Sequence, residues 1–143
     1  MKQVLFACVH NTGRSQMAEA FFNRLADPAK ARAVSGGTEP AEAMNPTVVA
    51  VMQELGIDLV ADGHHPKIAD LNALQEGDRA ISMGCGVNLA CPVKLGKMDD
   101  WGLDDPKGQA IERVRAIRDA IRERVEKLVE GLDVRRGHNG SSP

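Results

Sequence analysis

Near its start the chain carries a short apolar run followed by a polar turn, Val4-Leu5-Phe6-Ala7-Cys8-Val9-His10-Asn11-Thr12-Gly13-Arg14-Ser15. A helical pattern of apolar residues comes next, so this stretch predicts a strand, a tight loop and a helix N-terminus. Such a loop turns backbone N–H groups inward, and the helix dipole adds positive charge, which together suit a tetrahedral oxyanion. We therefore expect the whole loop to bind the substrate, through residues Val9, His10, Asn11, Thr12, Gly13, Arg14 and Ser15.

Cys8 stands at the base of this loop and Arg14 stands six residues later, at its end. A guanidinium offers a planar pair of donors to two oxygens of one anion. The same donors favour a thiolate, because an unperturbed thiol pKa of about 8.5 falls by roughly one to five units in such surroundings. A lone cysteine at a strand end is more often a small buried apolar residue. Its spacing to Arg14 indicates instead a nucleophile held beside its target.

Composition limits the classes of function. The chain has 143 residues, enough for one domain with its own core, and a formal net charge of −2, which gives no general attraction to nucleic acid or anionic membranes. An aromatic content of 3% leaves few surfaces on which single-stranded nucleic acid could stack. Without a recognisable signal peptide or membrane-length apolar stretch, we expect a cytoplasmic monomer. Its cysteines are then expected to do chemistry rather than form structural disulfides.

Strands and helices alternate along the chain. The patterns predict strands at 3–8, 31–35, 79–83 and 97–100, and helices at 15–26, 46–55, 68–74 and 108–131. This alternation predicts an α/β fold, a three-layer α/β/α domain with a four-stranded parallel sheet over residues 1–132, followed by a flexible polar tail at 133–143. Ligands of parallel sheets bind beyond the carboxyl ends of the strands, where Cys8 lies.

Three local features refine the predicted elements. Asn45 is suited to cap a helix that starts at Pro46, and Gly56 to close it. Gly36-Gly37 is expected to stop the second strand. The charged side of the last helix, opposite its apolar stripe, is interpreted as a solvated surface rather than a binding patch.

The motif Cys8-x5-Arg14-Ser15, with Asn11 inside it and Met17-Ala18-Glu19-Ala20-Phe21 after it, resembles the low-molecular-weight protein tyrosine phosphatase superfamily. Within that superfamily the chain is most similar to the arsenate reductases, from about residue 3 to about residue 131. The resemblance implies the phosphatase-like form of the predicted fold. As activity it implies the reduction of arsenate to arsenite through a covalent adduct on Cys8, in arsenic detoxification.

Asp105-Pro106 precedes the last predicted helix. In the resembled family a loop of this kind supplies the acid that protonates the leaving oxygen, which implies that role for Asp105. Without the resemblance, the favoured interpretation is that Asp104 or Asp105 caps a turn before proline. Tyrosine phosphatases of this fold carry an aromatic pair after Asp-Pro, whereas Lys107 follows here, so an aryl phosphate finds no such grip. A phosphatase acting on phosphomonoesters through a Cys8-phosphoryl intermediate, and a module that only binds oxyanions, remain the alternatives.

Cys85 and Cys91 lie in a predicted loop after the third strand. Similarity to the thioredoxin-coupled reductases implies that Cys85 attacks Cys8, and that Cys91 then takes over the disulfide and passes it to thioredoxin. The stretch Met83-Gly84-Cys85-Gly86 also resembles the reductases in which mycothiol attacks the arsenic adduct. The external thiol therefore stays open between thioredoxin, which we favour, and mycothiol, and we predict no tightly bound cofactor.

A zinc site is the main structural alternative for the cysteines, since Cys8, His10, Cys85 and Cys91 provide four ligands. The close cysteine pairs of structural zinc sites are absent from the sequence, and Arg14 in the same loop would repel a cation. The four histidines share no metal spacing and are assigned to loops and the surface. We predict no metal site.

Two further residues of the loop have expected roles. Asn11 can adopt the left-handed turn that the loop needs, and Ser15 can donate its hydroxyl to the Cys8 thiolate. Asn11 also belongs, with Glu19 and Ser35, to a set that matches a potassium site in some members of the resembled family. Lys67 stands where a carboxylate is expected for that site, so potassium is not predicted.

Overall fold

A computed structural model of the chain describes residues 2–83 and 99–136. Its elements are, in order, β1 (Lys2–Cys8), α1 (Arg14–Leu25), β2 (Ala31–Gly37), α2 (Pro46–Gln53), a 3₁₀ helix (Leu71–Ala73), β3 (Arg79–Ser82), β4 (Asp99–Asp100) and α3 (Ile111–Leu132). The strands form a four-stranded sheet in the order β2-β1-β3-β4, with every neighbouring pair parallel. The predicted fold class is confirmed.

β1 lies inside the sheet and is buried on both faces. Val4 and Phe6 join the large apolar cluster to which α1 and α3 contribute, while Leu5 packs on the opposite face with Leu71 and Leu74. This is why the strand is a continuous apolar run rather than an alternation of apolar and polar residues. The two clusters give the molecule its three layers.

β2 continues to Gly37, so the prediction that Gly36-Gly37 would stop it is wrong. Both glycines are sites of close approach between backbones. A Cβ on Gly36 would lie 2.4 Å from Cα of Ala69, and one on Gly37 would lie 2.4 Å from the carbonyl oxygen of Val9. Glycine is needed here because neighbouring segments pack directly against the end of the strand.

α2 begins as its sequence predicted. The Asn45 side chain accepts from the backbone N–H groups of Thr47 and Val48 at 2.9 and 3.3 Å, which confirms the cap. The helix ends at Gln53, and Gly56 follows with φ +78°. The helix predicted at 68–74 is shorter, a single 3₁₀ turn at Leu71–Ala73.

α3 starts at Ile111 rather than 108 and runs to Leu132. The interpretation of its charged side as uniformly solvated is wrong at Arg118, which is 8% exposed. Its NH1 donates to the carbonyl oxygen of Val51 at 2.9 Å and to Oε1 of Glu54 at 2.8 Å. A charged residue of α3 therefore joins it to α2 across a buried contact.

The described chain continues beyond α3 onto the end of α1. Val134 is 4% exposed, and its carbonyl oxygen accepts from the N–H of Asp27 at 2.7 Å. The N–H of Arg136 donates to the carbonyl oxygen of Leu25, also at 2.7 Å. The rest of the predicted tail, 137–143, lies outside the described residues. No helix in the described parts of the chain has the length and apolar character to cross a lipid bilayer.

Candidate active site

In the loop between β1 and α1, four carbonyl oxygens accept hydrogen bonds from the segment that follows β2. Those of Cys8, Val9, His10 and Thr12 accept, at 3.1, 2.8, 3.1 and 3.2 Å, from the backbone N–H groups of Thr38, Glu39, Ala41 and Asn45. In a planar trans peptide the C=O and the following N–H point in opposite directions. The N–H groups of the loop therefore face the other side, as an anion site requires.

Cys8 is 5% exposed at the carboxyl end of β1, with donors around its sulfur. The backbone N–H of Asn11 donates to Sγ at 3.1 Å, and Oγ of Ser15 lies 2.9 Å from Sγ. The cap residue of α1, Gly13, has no side chain to bond the first N–H groups of the helix, so these and the dipole act on the same site. Donors of this kind lower the pKa of a thiol and favour its thiolate.

Arg14 is also 5% exposed and reaches across the sheet end. Its NH1 donates to the carbonyl oxygens of Met83, at 2.9 Å, and Leu103, at 2.6 Å. Its NH2 lies 3.7 Å from Oδ2 of Asp105. These contacts fix the guanidinium between the end of β3 and the loop before α3.

One cavity of about 340 Å³ joins the loop to the segment that carries Asp105. It brings together most of the residues predicted for the site, with Lys107 on its rim: Cys8, Val9, His10, Asn11, Thr12, Gly13, Arg14, Leu103, Asp104, Asp105 and Lys107. Asp105 is 56% exposed, and its Oδ1 accepts from the N–H of Lys107 at 3.0 Å. The loop and Arg14 in the lining of this cavity suit a small tetrahedral anion.

Sequence reasoning missed Gln16, which is fully buried behind the loop. Its Nε2 donates to the side-chain oxygen of Asn11 at 2.9 Å and to the carbonyl oxygen of His65 at 2.9 Å. Asn11 itself has φ +56°, which confirms the left-handed turn expected of it. No local signal in the sequence marks it, because its partners His64 and His65 lie 48 and 49 positions away.

The position matched to a potassium site holds a lysine ammonium group. Nζ of Lys67 lies 3.4 Å from Oε1 of Glu19 and 3.1 Å from Oγ of Ser35, and Oγ of Ser35 also donates to Oε1 of Glu19. A side-chain cation thus lies beside the partly buried carboxylate of Glu19. Across residues 2–83 and 99–136, no group of three or more His, Cys, Asp or Glu side chains is arranged to bind a metal ion.

Cys85 and Cys91, predicted to complete the site, lie outside the described residues. The last described residue before them, Met83, is fully buried at the end of β3. Its N–H donates to the carbonyl oxygen of Ala7 at 3.0 Å, and its own carbonyl oxygen accepts from Arg14. The chain therefore leaves the described part of the sheet beside the Cys8 loop.

The chain is similar to known proteins over nearly its whole length. The family profile of the low molecular weight phosphotyrosine protein phosphatases matches residues 3–137. A glutaredoxin arsenate reductase from Synechocystis is 42% identical over 131 residues, covering 90% of this chain and 97% of that protein. A putative arsenate reductase from Halobacterium salinarum is 40% identical, covering 87% and 89%.

Solved structures give the same picture. An arsenate reductase in a phosphate-binding state superposes with a TM-score of 0.77 at 38% identity, covering 92% of this chain and 99% of that one. A thioredoxin-dependent arsenate reductase from Corynebacterium glutamicum superposes with a TM-score of 0.73 at 31% identity, covering 93% of this chain and 62% of that one.

Proposed function

Because this chain belongs to the low molecular weight phosphotyrosine protein phosphatase family, we propose that it is an arsenate reductase that works by covalent catalysis at Cys8. The single observation that carries the proposal is the position of the Cys8 sulfur. It lies within one cavity with an arginine, a carboxylic acid and a loop of inward-facing N–H groups. The relatives named as arsenate reductases support arsenate as the substrate.

Substrate binding uses the loop and Arg14. Arsenate is a tetrahedral anion, so its oxygens accept from the loop N–H groups and the helix N-terminus. Because NH1 of Arg14 is held by the carbonyls of Met83 and Leu103, the two-pronged contact to the anion falls to Nε and NH2. Lys107 adds a positive charge at the rim of the cavity.

The first chemical step forms a sulfur–arsenic bond. The Cys8 thiolate attacks arsenic in line with one As–O bond, and that bond breaks with its electron pair on oxygen. This oxygen belongs to an As–OH group of protonated arsenate, so the one proton that Asp105 gives to it lets it leave as water. This role is supported by the position of Asp105, whose Oδ2 lies 3.7 Å from NH2 of Arg14, the side chain proposed to bind the anion.

The second step moves two electrons to arsenic. The Cys85 thiolate attacks the sulfur of Cys8, a Cys8–Cys85 disulfide forms, and the S–As electron pair stays on arsenic, which leaves as arsenite. Cys91 then attacks Cys85, which frees the Cys8 thiolate and leaves a Cys85–Cys91 disulfide for an external dithiol to reduce. The position of Met83 supports Cys85 as the first thiol to attack. The carbonyl of Met83 is bonded by Arg14, and Cys85 follows Met83 by two residues, which span at most about 7 Å.

The decisive test is arsenate-dependent NADPH oxidation with three donor systems. These are thioredoxin with its reductase, glutaredoxin with glutathione, and mycothiol with mycoredoxin. We expect thioredoxin to support turnover. The relatives' names include both thioredoxin and glutaredoxin, so turnover with glutaredoxin alone would reassign the donor but keep the chemistry at Cys8.

Cysteine variants separate the two steps. Cys8→Ser is expected to abolish arsenite formation, and Cys91→Ser to release one arsenite per chain and stop with a Cys8–Cys85 disulfide detectable by mass spectrometry. The double variant Cys85→Ser, Cys91→Ser is expected to lose turnover while keeping weak hydrolysis of p-nitrophenyl phosphate, which shows that the loop is intact. Undiminished arsenate turnover by this double variant, without an added small thiol, would refute the relay.

A further inference from the structure

Gln16 is a fully buried polar residue that the proposed chemistry does not use. It lies in the first turn of α1, two residues after Arg14. Its Nε2 has three oxygens within hydrogen-bond distance, the carbonyl and side-chain oxygens of Asn11 at 3.1 and 2.9 Å and the carbonyl of His65 at 2.9 Å. Its Oε1 lies 2.7 Å from Nδ1 of His64.

These partners fix the direction of the Gln16 amide. An NH₂ group surrounded by three oxygens cannot exchange places with the amide oxygen, since the oxygen would then face only acceptors. Oε1 therefore faces His64, whose Nδ1 must carry a proton and donate. The amide is held at both ends, by the loop on one side and by His64 on the other.

Gln16 in turn fixes the direction of the Asn11 amide. The side-chain oxygen of Asn11 accepts from Nε2 of Gln16 and from the backbone N–H of Lys67 at 3.0 Å. The Asn11 NH₂ group is consequently turned towards Oγ of Ser15, to which it donates at 2.8 Å. Asn11 also has a left-handed backbone conformation, which is uncommon for residues other than glycine.

The last link is the hydroxyl of Ser15. Because its oxygen accepts from Asn11, its hydrogen is directed at the Cys8 sulfur 2.9 Å away. A reversed Asn11 amide would present an oxygen to Ser15 and compete for that hydrogen. The left-handed turn also aims the Asn11 N–H at the same sulfur, at 3.1 Å.

We propose that Gln16 is a positioning residue for the reaction. By holding the Asn11 amide and its left-handed turn, it directs one N–H and one O–H donor at the Cys8 sulfur. The inference rests on the proposed role of Cys8 as a thiolate nucleophile. Without Gln16 the two donors are no longer locked, so the thiolate loses part of its stabilisation.

The segment 64–67 holds the partners of Gln16 and Asn11 in place. Lys67 supplies the backbone N–H for Asn11, and its ammonium is anchored by Glu19 and Ser35. Nδ1 of His64 lies 4.0 Å from Oε1 of Glu19. A substitution at Gln16 leaves in place every charged or titratable side chain that lines the cavity with Cys8. These are His10, Arg14, Asp104, Asp105 and Lys107.

The test measures the thiol itself. The chain has three cysteines, so in a Cys85→Ser, Cys91→Ser background iodoacetamide reports on Cys8 alone. Gln16→Met keeps the length of the side chain and removes the donor. We expect it to raise the apparent pKa of Cys8 by about one unit, which is about a tenfold loss of thiolate at pH values well below the pKa. The rates of the two proteins should converge at high pH.

Asn23→Leu is the matched control. Asn23 lies on the same helix, and its side chain also bonds backbone, with Nδ2 donating to the carbonyl of Ala33 at 3.0 Å and Oδ1 accepting its N–H at 2.7 Å. We expect this variant to lower the unfolding midpoint and leave the pKa of Cys8 unchanged. If Gln16→Met does not fold, Gln16→Asn, which shortens the amide by one methylene group, gives the same measurement.

An unchanged pKa of Cys8 in a folded Gln16 variant would overturn the proposal, and so would an equal shift in Asn23→Leu. Alkylation needs neither arsenate nor a reductant. Failure of the chain with all three cysteines to reduce arsenate, together with a shifted pKa of Cys8 in the Cys85→Ser, Cys91→Ser background, would therefore support the positioning role and count against the proposed function alone.

Discussion

The absence of a side chain at Gly13 lets the segment that carries the acid pack against the anion loop. A Cβ on Gly13 would lie 3.0 Å from Cγ of Pro106, a buried residue, and 3.5 Å from Cγ2 of Val48. Pro106 follows Asp105 directly, so the position of the carboxylic acid depends on this contact.

We therefore expect Gly13→Ala to displace Asp105 and to lower kcat for arsenate by about tenfold, since small displacements of catalytic groups cost large factors in rate. Steady-state kinetics with a thiol donor in excess measures the change. Gly102→Ala is the control, because a Cβ there meets nothing within 4 Å. Equal kcat values for the two variants would show that Pro106 does not position the acid.

At the scale of single residues, the sequence predicted what lies close together in the chain. Cys8, Asn11, Arg14 and Ser15 are within one loop and helix turn, and the structure brings them together as expected. Lys67 meets Asn11 from 56 positions away, which no local pattern reports. Gln16 was missed for the same reason, because its side chain bonds His64 and His65 in a distant segment.

At the scale of elements, α2 and α3 are joined by one carboxylate between two arginines. Glu54 accepts from NH2 of Arg115 at 2.7 Å and from NH1 of Arg118 at 2.8 Å. The hydrogen bond from Arg115 is the largest cause that holds the pKa of Glu54 below its ordinary value of 4.5, and Arg118 lowers it further. The ion pairs of Glu54 with Arg115 and Arg118 therefore stabilise the fold only while Glu54 is ionised.

The lowered pKa gives a defined pH dependence. A carboxyl group whose pKa is depressed on folding contributes stability above its unfolded pKa of 4.5, and this stability is lost as the pH falls through the folded value. We expect Glu54→Gln to be less stable than the parent at pH 7, and the gap to narrow below pH 4.5, in urea unfolding curves. Glu123→Gln, at an exposed pair with Lys127, is the control and should change little at either pH. A gap that stayed constant down to pH 3 would contradict the assignment.

Elements were predictable where local chemistry specifies them. Asn45 and Pro46 mark the start of α2, and the apolar stripe marks α3. The end of β2 was not, because Gly37 is dictated by the approach of Val9 from another segment and not by a turn. Arg118 was missed because an arginine on a charged helix face gives no sign that a carbonyl of α2 lies beneath it.

At the scale of the whole molecule, the strand order sets the site. With β1 between β2 and β3, the end of β1 is flanked by Gly37 on one side and by Met83 on the other. The alternation of elements predicted a parallel sheet, but the order of its strands is a property of long-range pairing. That order brings the segment before Cys85 to Arg14.

The chain after α3 extends the folded unit past the predicted boundary at Leu132. Val134 buries its side chain beside α1, and Arg136 bonds the carbonyl of Leu25. Burying a valine contributes roughly 1.5–3 kcal/mol. A chain that stops after Leu132 is therefore expected to lose about 2 kcal/mol in its free energy of unfolding, measured in urea. A chain that stops after Arg136 lacks only residues 137–143, and we expect it to keep the stability of the full chain. Equal stability of the two truncated chains would place the boundary of the domain at Leu132, as the sequence alone predicted.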